Sequence, residues 1–368
     1  MLMLGIETSC DETSAAVVEE TGDAARPWAI RSNVIASQVP IHREWGGVVP
    51  ELASRQHIRD ICGVVERALA EAHATWSELG AVAVTQGPGL VGSLLVGVSF
   101  AKAAAVAARL PVVAVHHLAG HIESLVLENG ELPLPAVVLV VSGGHTSLYL
   151  VDTPGHYQLL SRTRDDAAGE AYDKVAKLLG LGYPGGPAID RLARGGNDKA
   201  VPLPTLRLTH ADRNAPHLKG DLDFSFSGLK TAVLRHVREH QASLARAGDA
   251  ILGPPAWPDV GSTFTDQQIA DLCASFQRNV VTTLVDRTFD AARRCQARSI
   301  GVAGGVSANS RLREDMKARG ERREMPIFLP SVQLSTDNAA MIAAAGLLRF
   351  RAGMTASLDF NADAALRL

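Results

Sequence analysis

The chain contains the same short pattern twice: an apolar strand, a small polar turn and a second apolar strand. The first copy covers residues 3–18 and the second covers residues 135–151. The second turn contains Ser142, Gly143 and Gly144. Glycine lets backbone N–H groups approach an anion closely, and hydroxyl groups add donors. Either copy alone is better explained by an ordinary β-hairpin. Together they predict two similar lobes, each offering a phosphate-binding turn to a shared cleft.

A third glycine-bearing element follows at residues 299–313. Its sequence predicts a strand, then a turn containing Gly304 and Gly305, and then a helix whose start is capped by Ser307 or Asn309. A strand–Gly-Gly–helix turn can lie flat against an adenine ring or its ribose, although a plain βα turn also explains it. Hairpin, hairpin and Gly-Gly-helix, in that order, are typical of nucleotide-binding proteins with two lobes.

Strands and helices also alternate between residues 51 and 115, which favours an α/β fold. We therefore predict the two-lobed actin/sugar-kinase/heat-shock-chaperone-like (ASKHA) fold, with mixed sheets flanked by helices and duplicated lobes. Residues 1–112 with about 340–368 form the predicted first lobe, and residues 113–339 form the second.

Composition describes an ordinary globular protein of 368 residues, with 46% hydrophobic and 20% charged residues. The net charge of −3 neither indicates nor excludes a nucleic-acid partner, because a basic patch can lie on a neutral protein. Four cysteines without a C-x-x-C pair favour a reducing compartment. Lys102 and Arg109 interrupt the longest apolar run, and no basic segment precedes an apolar one at the start. We predict a cytoplasmic protein without a membrane span.

A metal-ligand spacing follows the strand predicted at residues 111–115. His117 and His121 are four residues apart, so on a helix their imidazoles share a face. A zinc peptidase of the H-E-x-x-H type would need a glutamate base where this chain has Leu118. Asp337 is the candidate third ligand, although its own neighbourhood, taken alone, favours a helix N-cap. Two histidines and one aspartate would leave positions on Zn²⁺ or Fe²⁺ open for substrate oxygens.

Ten motifs occur in the order found in one family. They are 7–13 (ETSCDET), 46–51 (GGVVPE), 87–90 (GPGL), 116–121 (HHLAGH), 142–146 (SGGHT), 166–170 (DAAGE), 183–187 (YPGGP), 224–230 (FSFSGLK), 304–309 (GGVSAN) and 336–338 (TDN). From residue 2 to about 346 the chain resembles the universal tRNA threonylcarbamoyladenosine transferases (TsaD), in their bacterial form. It departs from them mainly in a Pro-rich segment at residues 247–261.

The resemblance implies a reaction. The N6 amine of adenosine 37, in tRNAs that read codons beginning with A, attacks the carbamoyl carbon of L-threonylcarbamoyl-AMP, and AMP leaves. It also implies one divalent metal ion per subunit, Fe²⁺ or Zn²⁺, held by His117, His121 and Asp337. A metal bound there would touch the donor and act as a Lewis acid.

The resemblance also assigns substrate residues by position. The donor would be contacted by Val140, Val141, Ser142, Gly143 and Gly144. The nucleoside part of the donor would be bound by Asp173, Gly186, Asp190 and Asn309. Solvated helix charges are the alternative for the two aspartates, more readily for Asp190. Asp11 is the candidate for deprotonating or orienting the amine, and His145 either contacts the donor or supports its turn.

Partners are implied in the same way. We expect tRNA, a TsaB-like paralogous inactive subunit and a TsaE-like P-loop ATPase. Candidate contacts to tRNA phosphates are Arg43, Arg55, Lys230 and Arg235, and a solvated surface charge is the commoner explanation for each. Three rival functions stay open from the residues alone: an ATPase or kinase of the same fold, a metallopeptidase, and a non-enzymatic scaffold.

Overall fold

A computed structural model describes residues 1–205, 208, 220–246 and 263–368. The Pro-rich segment at 247–261 lies outside these residues.

The first lobe is built on a mixed five-stranded sheet. Its strands are β1 (Leu2–Glu7), β2 (Glu12–Glu20), β3 (Trp28–Ser37), β4 (Leu79–Gly87) and β5 (Val112–His116), in the order β3-β2-β1-β4-β5. The pairs β1–β2 and β2–β3 are antiparallel, whereas β1–β4 and β4–β5 are parallel. The first predicted hairpin is therefore β1 and β2, at the centre of this sheet.

The second sheet repeats this plan. Its strands are β6 (Ala136–Val141), β7 (Thr146–Thr153), β8 (His156–Arg162), β9 (Ser299–Ala303) and β10 (Ile327–Phe328), in the order β10-β9-β6-β7-β8. Antiparallel pairing joins β6, β7 and β8, and parallel pairing joins β6, β9 and β10. Each lobe thus has an antiparallel hairpin extended by parallel strands, which confirms the predicted duplication.

Helices cover both sheets. In chain order they are α1 (Val39–Arg43), α2 (Pro50–Glu71), α3 (Val91–Ala108), α4 (His117–Asn129), α5 (Ala168–Leu178), α6 (Gly185–Ala193), α7 (Ser227–Arg246), α8 (Asp266–Arg294), α9 (Ser310–Arg322), α10 (Val332–Ser335) and α11 (Ala339–Arg351). Short 3₁₀ turns occupy Trp76–Glu78 and Gly305–Ala308. Helix α8 begins at a capping box, in which Thr265 and Gln268 each satisfy the other's backbone N–H.

Two features differ from the sequence-based expectations. Strand β5 pairs with β4 over Val112–His116, so a lobe boundary after residue 112 would cut the first sheet. Helix α3 is long and apolar enough to cross a membrane by length and composition, whereas no such segment was expected. Lys102 lies within it, yet one charge in eighteen residues does not lower its hydropathy enough. A third of this helix is buried, on the face that packs beside α2 and β4.

Small residues bring the helices α4 and α11 together between the lobes. A Cβ atom added to Gly120 of α4 would lie 2.8 Å from Ile342 Cδ1 of α11. One added to Gly5 of β1 would lie 2.3 Å from the Ala339 carbonyl oxygen. Because glycine alone allows such close approach, the start of α11 lies against both β1 and α4. This packing sets the position of the residues just before α11.

Candidate functional site

The structure brings His117, His121 and Asp337 into one cluster. The two histidines open α4 directly after β5, and their rings are edge to face with centroids 4.7 Å apart. Asp337 Oδ1 lies 3.6 Å from His117 Nε2 and 3.2 Å from His121 Nε2. One ligand atom from each residue lies within 4.8 Å of the others, which suits a single metal ion.

The chemistry of these donors fits a divalent cation. His121 is completely buried, and neither of its ring nitrogens has a hydrogen-bond partner among the described residues. Asp337 Oδ1 lies 3.2 Å from its Nε2 and interacts with it electrostatically. A buried imidazole without a partner is costly in a protein interior, and a metal ion would remove that cost.

Glu7 is the residue of this cluster that the sequence analysis missed. It ends β1, is fully buried, and places Oε2 3.0 Å from His117 Nδ1. The same oxygen accepts a hydrogen bond from Thr85 Oγ1 at 2.8 Å. A carboxylate on Nδ1 fixes the ring so that Nε2 faces a metal. A signal was available, because β1 and β5 run parallel to the same strand β4, and residues at their carboxyl ends meet at one edge of the sheet.

Electrostatics of the cluster follow from burial and neighbouring carboxylates. Burial alone would lower the pKa of His117, but Asp337 and Glu7 outweigh it and raise that pKa to about 9. Burial would raise the pKa of Asp337, but His117 and His121 hold it well below its usual range. Burial and the neighbouring histidines lower the pKa of His145 to about 4, so this ring is neutral at pH 7.

Asp337 is not a helix cap. The N-cap of α11 is Asn338, whose Oδ1 accepts from the Met341 backbone N–H at 3.1 Å. The alternative role considered for Asp337 therefore belongs to the next residue. Its carboxylate points instead at the two imidazoles.

The predicted donor turn is the tight connection between β6 and β7. The Ser142 N–H donates to the His145 carbonyl oxygen at 2.8 Å, and the His145 N–H donates to Ser142 Oγ at 3.1 Å. No described atom lies within 4 Å of a Cβ added to Gly143 or Gly144, so the glycine backbone faces open space. The rings of His145 and His117 are 6.4 Å apart between centroids, which places this turn beside the metal cluster.

Val140 and Val141 are placed differently from the rest of the predicted donor segment. Their side chains are fully buried in the core of β6. Their contact with a donor stays a prediction, and side-chain contact would require the core to open.

A cavity of about 490 Å³ lies beside the donor turn. Its lining includes five predicted substrate residues: Gly143, Asp173, Gly186, Asp190 and Asn309. Gly305, from the third glycine-bearing element, also lines it. Gly304 has a φ of 91°, and a Cβ there would lie 2.5 Å from the Val141 carbonyl oxygen, so only glycine fits where this turn meets β6. The turn of the second hairpin and the Gly-Gly-helix element thus line one cavity.

Two aspartates of the cavity also organise its wall. Asp173 Oδ1 accepts from the Gly185 N–H at 2.7 Å. Burial, with Asp11 and Glu170 nearby, raises the pKa of Asp173 to about 6. Asp190 Oδ1 accepts from Ser310 Oγ at 2.8 Å.

Asn309 is the cap of α9 and settles the choice that the sequence left open. Its Oδ1 accepts from the Leu312 N–H at 3.0 Å, and its Nδ2 donates to Gln277 Oε1 at 2.8 Å. These contacts hold Asn309 rigidly at the cavity wall. Asp190 is not a freely solvated charge, because its Oδ1 accepts the Ser310 hydrogen bond.

Asp11 lies on the opposite side of the cleft, in the turn of the first hairpin. The Tyr183 hydroxyl lies 3.5 Å from its Oδ2, and Tyr183 precedes Pro184 of the cavity wall. Burial, together with Asp11, raises the pKa of both Cys10 and Glu12. Asp11 is thus one member of a buried acidic group at the edge of the cleft.

The four predicted phosphate contacts lie on helices away from the metal cluster. Arg43 is exposed at the end of α1, and Lys230 is half-buried on α7. Arg55 pairs with Glu51 at 2.5 Å. Arg235 and Glu239 are 4.0 Å apart and both mostly exposed. Their contacts with tRNA stay predictions.

Comparison with known proteins points to one family. The family model described as TsaD, tRNA N6-adenosine threonylcarbamoyltransferase, matches residues 29–344. A protein of that name from Koribacter versatilis is 48% identical over 383 residues, covering 100% of this chain and 99% of the relative. A protein of that name from Anaeromyxobacter sp. Fw109-5 is 50% identical over 369 residues, covering 100% of both.

Among solved structures, full-length HypF in its phosphate- and nucleotide-bound form matches with a TM-score of 0.54 at 13% identity. The match covers 95% of this chain and 46% of that one. At this identity the likeness concerns the fold alone. With the two repeated mixed sheets, it confirms the predicted ASKHA-like architecture.

Proposed function

The chain belongs to the tRNA N6-adenosine threonylcarbamoyltransferase family and transfers a threonylcarbamoyl group to N6 of adenosine in tRNA, and we propose that His117, His121 and Asp337 hold the metal ion of this reaction. The carrying observation is convergence: the metal cluster, the donor turn and the cavity meet within one cleft. Family membership removes the rival functions, a kinase-type ATPase, a metallopeptidase and a scaffold.

One divalent ion per chain is the proposed cofactor, either Fe²⁺ or Zn²⁺, since two imidazoles and a carboxylate suit both. When bound, it would act as a Lewis acid toward a donor oxygen. Glu7 is proposed to orient His117 through Nδ1 and so keep Nε2 directed at the ion.

The proposed donor is L-threonylcarbamoyl-AMP, a mixed anhydride. The open backbone of Gly143 and Gly144, with Ser142 closing the turn, would contact its phosphate or carbamoyl oxygens. Val140 and Val141 complete the proposed donor segment. They would hold the turn by their place in β6.

The proposed nucleoside site is the far side of the cavity. The carboxylates of Asp173 and Asp190 are acceptors suited to ribose hydroxyl groups. Gly186 and Asn309 would line the adenine and ribose without filling the space they need. Rigid placement of these groups would lower the entropic cost of binding.

Asp11 is proposed to orient the attacking amine. The N6 nitrogen of adenosine 37 forms a bond to the carbamoyl carbon, the bond from that carbon to the phosphate oxygen breaks, and AMP leaves. The amine loses one proton, which Asp11 or solvent accepts. An exocyclic adenine amine is a poor nucleophile, so positioning contributes more than base strength.

The target base must leave its stack to enter the cleft, which is easier in an anticodon loop than in a duplex.

The proposed partners besides tRNA are a TsaB-like paralogous subunit and a TsaE-like P-loop ATPase. The proposed location is the cytoplasm.

The test is nucleoside mass spectrometry of tRNA after incubation with donor, partner proteins and the full chain. We expect new threonylcarbamoyladenosine with the wild-type chain and a loss of about 100-fold or more with Asp11→Asn. Binding of donor and tRNA by this variant should be unchanged. Wild-type rates in Asp11→Asn would contradict its proposed role.

A further inference from the structure

Trp45 is an exposed aromatic side chain at the edge of the cleft that no step above uses. It leaves 61% of its surface exposed, although tryptophan usually buries most of its large apolar area. It lies between α1 and α2, within the loop that ends in the 46–51 motif. An exposed indole on a protein surface is a candidate for stacking against a planar group of a binding partner.

The loop that carries Trp45 is held in a fixed shape. His42 is fully buried, and its Nδ1 accepts from the Val49 N–H at 3.3 Å. Its Nε2 then carries the proton and donates to Gln38 Oε1 at 3.2 Å. The backbone N–H of Trp45 donates to the His42 carbonyl oxygen at 3.0 Å. The exposed ring is therefore presented by a rigid turn, which reduces the entropy lost when it binds.

Hydrogen bonds connect this loop to the catalytic side of the first lobe. The Gln38 N–H donates to the Asp11 carbonyl oxygen at 2.9 Å. Gln38 Nε2 is 3.3 Å from His57 Nδ1, and His57 Nε2 is 2.9 Å from the Cys10 carbonyl oxygen. The loop with Trp45 and the turn with Asp11 are thus parts of one network.

The loop also reaches the second lobe. Gly46 has a φ of 65°, and a Cβ added there would lie 3.6 Å from Lys177 Nζ. Lys177 lies on α5, about one turn beyond Asp173 of the cavity wall. Trp45 therefore sits where the two lobes approach each other, beside the entrance to the cleft.

The charges around Trp45 favour a polyanion. Arg43 and Lys177 are exposed, and neither forms an ion pair with a described residue. Glu44 is the acidic neighbour in the loop itself. Single-stranded nucleic acid binds to exposed rings that have cations nearby, with a base on the ring and phosphates on the cations.

We propose that Trp45 stacks on an unpaired base of the tRNA anticodon loop next to the target adenosine, while Arg43 and Lys177 contact adjacent phosphates. This rests on the proposed function and adds to it a residue that selects unstacked RNA. Stacking on a neighbouring base would also hold the loop open while adenosine 37 enters the cleft.

The test compares full-length Trp45→Ala and Trp45→Phe with the matched control Ile58→Ala, which trims another mostly exposed side chain, 64% exposed on α2. Binding of an anticodon stem-loop RNA and KM for tRNA and donor are measured with partners supplied. We expect Trp45→Ala to weaken RNA binding and raise KM for tRNA about ten-fold or more, with KM for donor unchanged. Trp45→Phe should retain most of the affinity, and Ile58→Ala should match wild type.

RNA binding by Trp45→Ala equal to wild type would overturn the proposal. So would a loss confined to assembly with the paralogous subunit, since Trp45 would then be a protein contact. A wild-type chain that makes no threonylcarbamoyladenosine would instead contradict the function itself, which separates the two failures.

Discussion

Glu7 Oε2 and His117 Nδ1 lie 3.0 Å apart at the carboxyl ends of two strands that pair in parallel with the same third strand. The two residues are 110 positions apart in the chain. Because both are buried, solvent does not weaken their contact. The pair fixes the His117 ring with Nε2 toward Asp337, so the metal cluster is shaped before any ion binds.

Glu7→Gln should weaken metal binding by about 10- to 100-fold, the usual cost of losing a carboxylate partner of a ligating histidine. Competition with a chelator of known affinity measures this directly. The matched control is Glu123→Gln, another buried glutamate, on α4 beyond the cluster and hydrogen-bonded by the Tyr157 hydroxyl at 3.2 Å. Equal metal affinities in Glu7→Gln and wild type would show that the contact only stabilises the fold.

Gly169→Ala should disturb the donor turn from behind. An added Cβ would lie 2.6 Å from the Ser142 carbonyl oxygen and 2.8 Å from Gly143 Cα, and backbone atoms cannot rotate away. A displacement approaching 1 Å can reduce kcat by about 100-fold. Transfer kinetics and thermal melting measure both effects. Gly63→Ala is the control, with no described atom within 4 Å of its new Cβ, and it should leave kcat unchanged.

Asp173 predicts how nucleoside binding depends on pH. Burial raises its pKa to about 6, so it is ionised at pH 7 and becomes neutral as the pH falls through 6. If the ribose requires the carboxylate, the Kd for adenosine should rise about ten-fold between pH 7 and pH 5. Titration calorimetry at both pH values provides the measurement. Asp173→Asn should bind weakly at pH 7 with little further change at pH 5; a flat profile in the wild-type chain would exclude the role.

Sequence patterns predicted the features that depend on local periodicity. The spacing of His117 and His121 places both rings on one face of any helix, and the two hairpins fix the centre of each sheet. Asp337 was reached through family position, since its own neighbourhood favoured a helix cap, which turned out to be Asn338.

The features that escaped depend on tertiary packing. Glu7 meets His117 only once β1 and β5 lie in one sheet. Trp45 has no sequence signal that distinguishes an exposed ring from a core ring. The apolar composition of α3 also gave no indication that only a third of the helix is buried. Such relationships come from which elements pack together, which a single sequence does not encode in any short window.

The most direct test of this account is the metal content of the purified full-length protein, measured by elemental mass spectrometry beside His121→Ala. In the described part of the chain, Nε2 and Nδ1 of His121 have no hydrogen-bond partner, so the variant removes no hydrogen bond that the structure shows for the ring. We predict one Fe²⁺ or Zn²⁺ per wild-type chain and almost none in the folded variant. An unchanged content of one ion per chain in His121→Ala would contradict the proposed metal site.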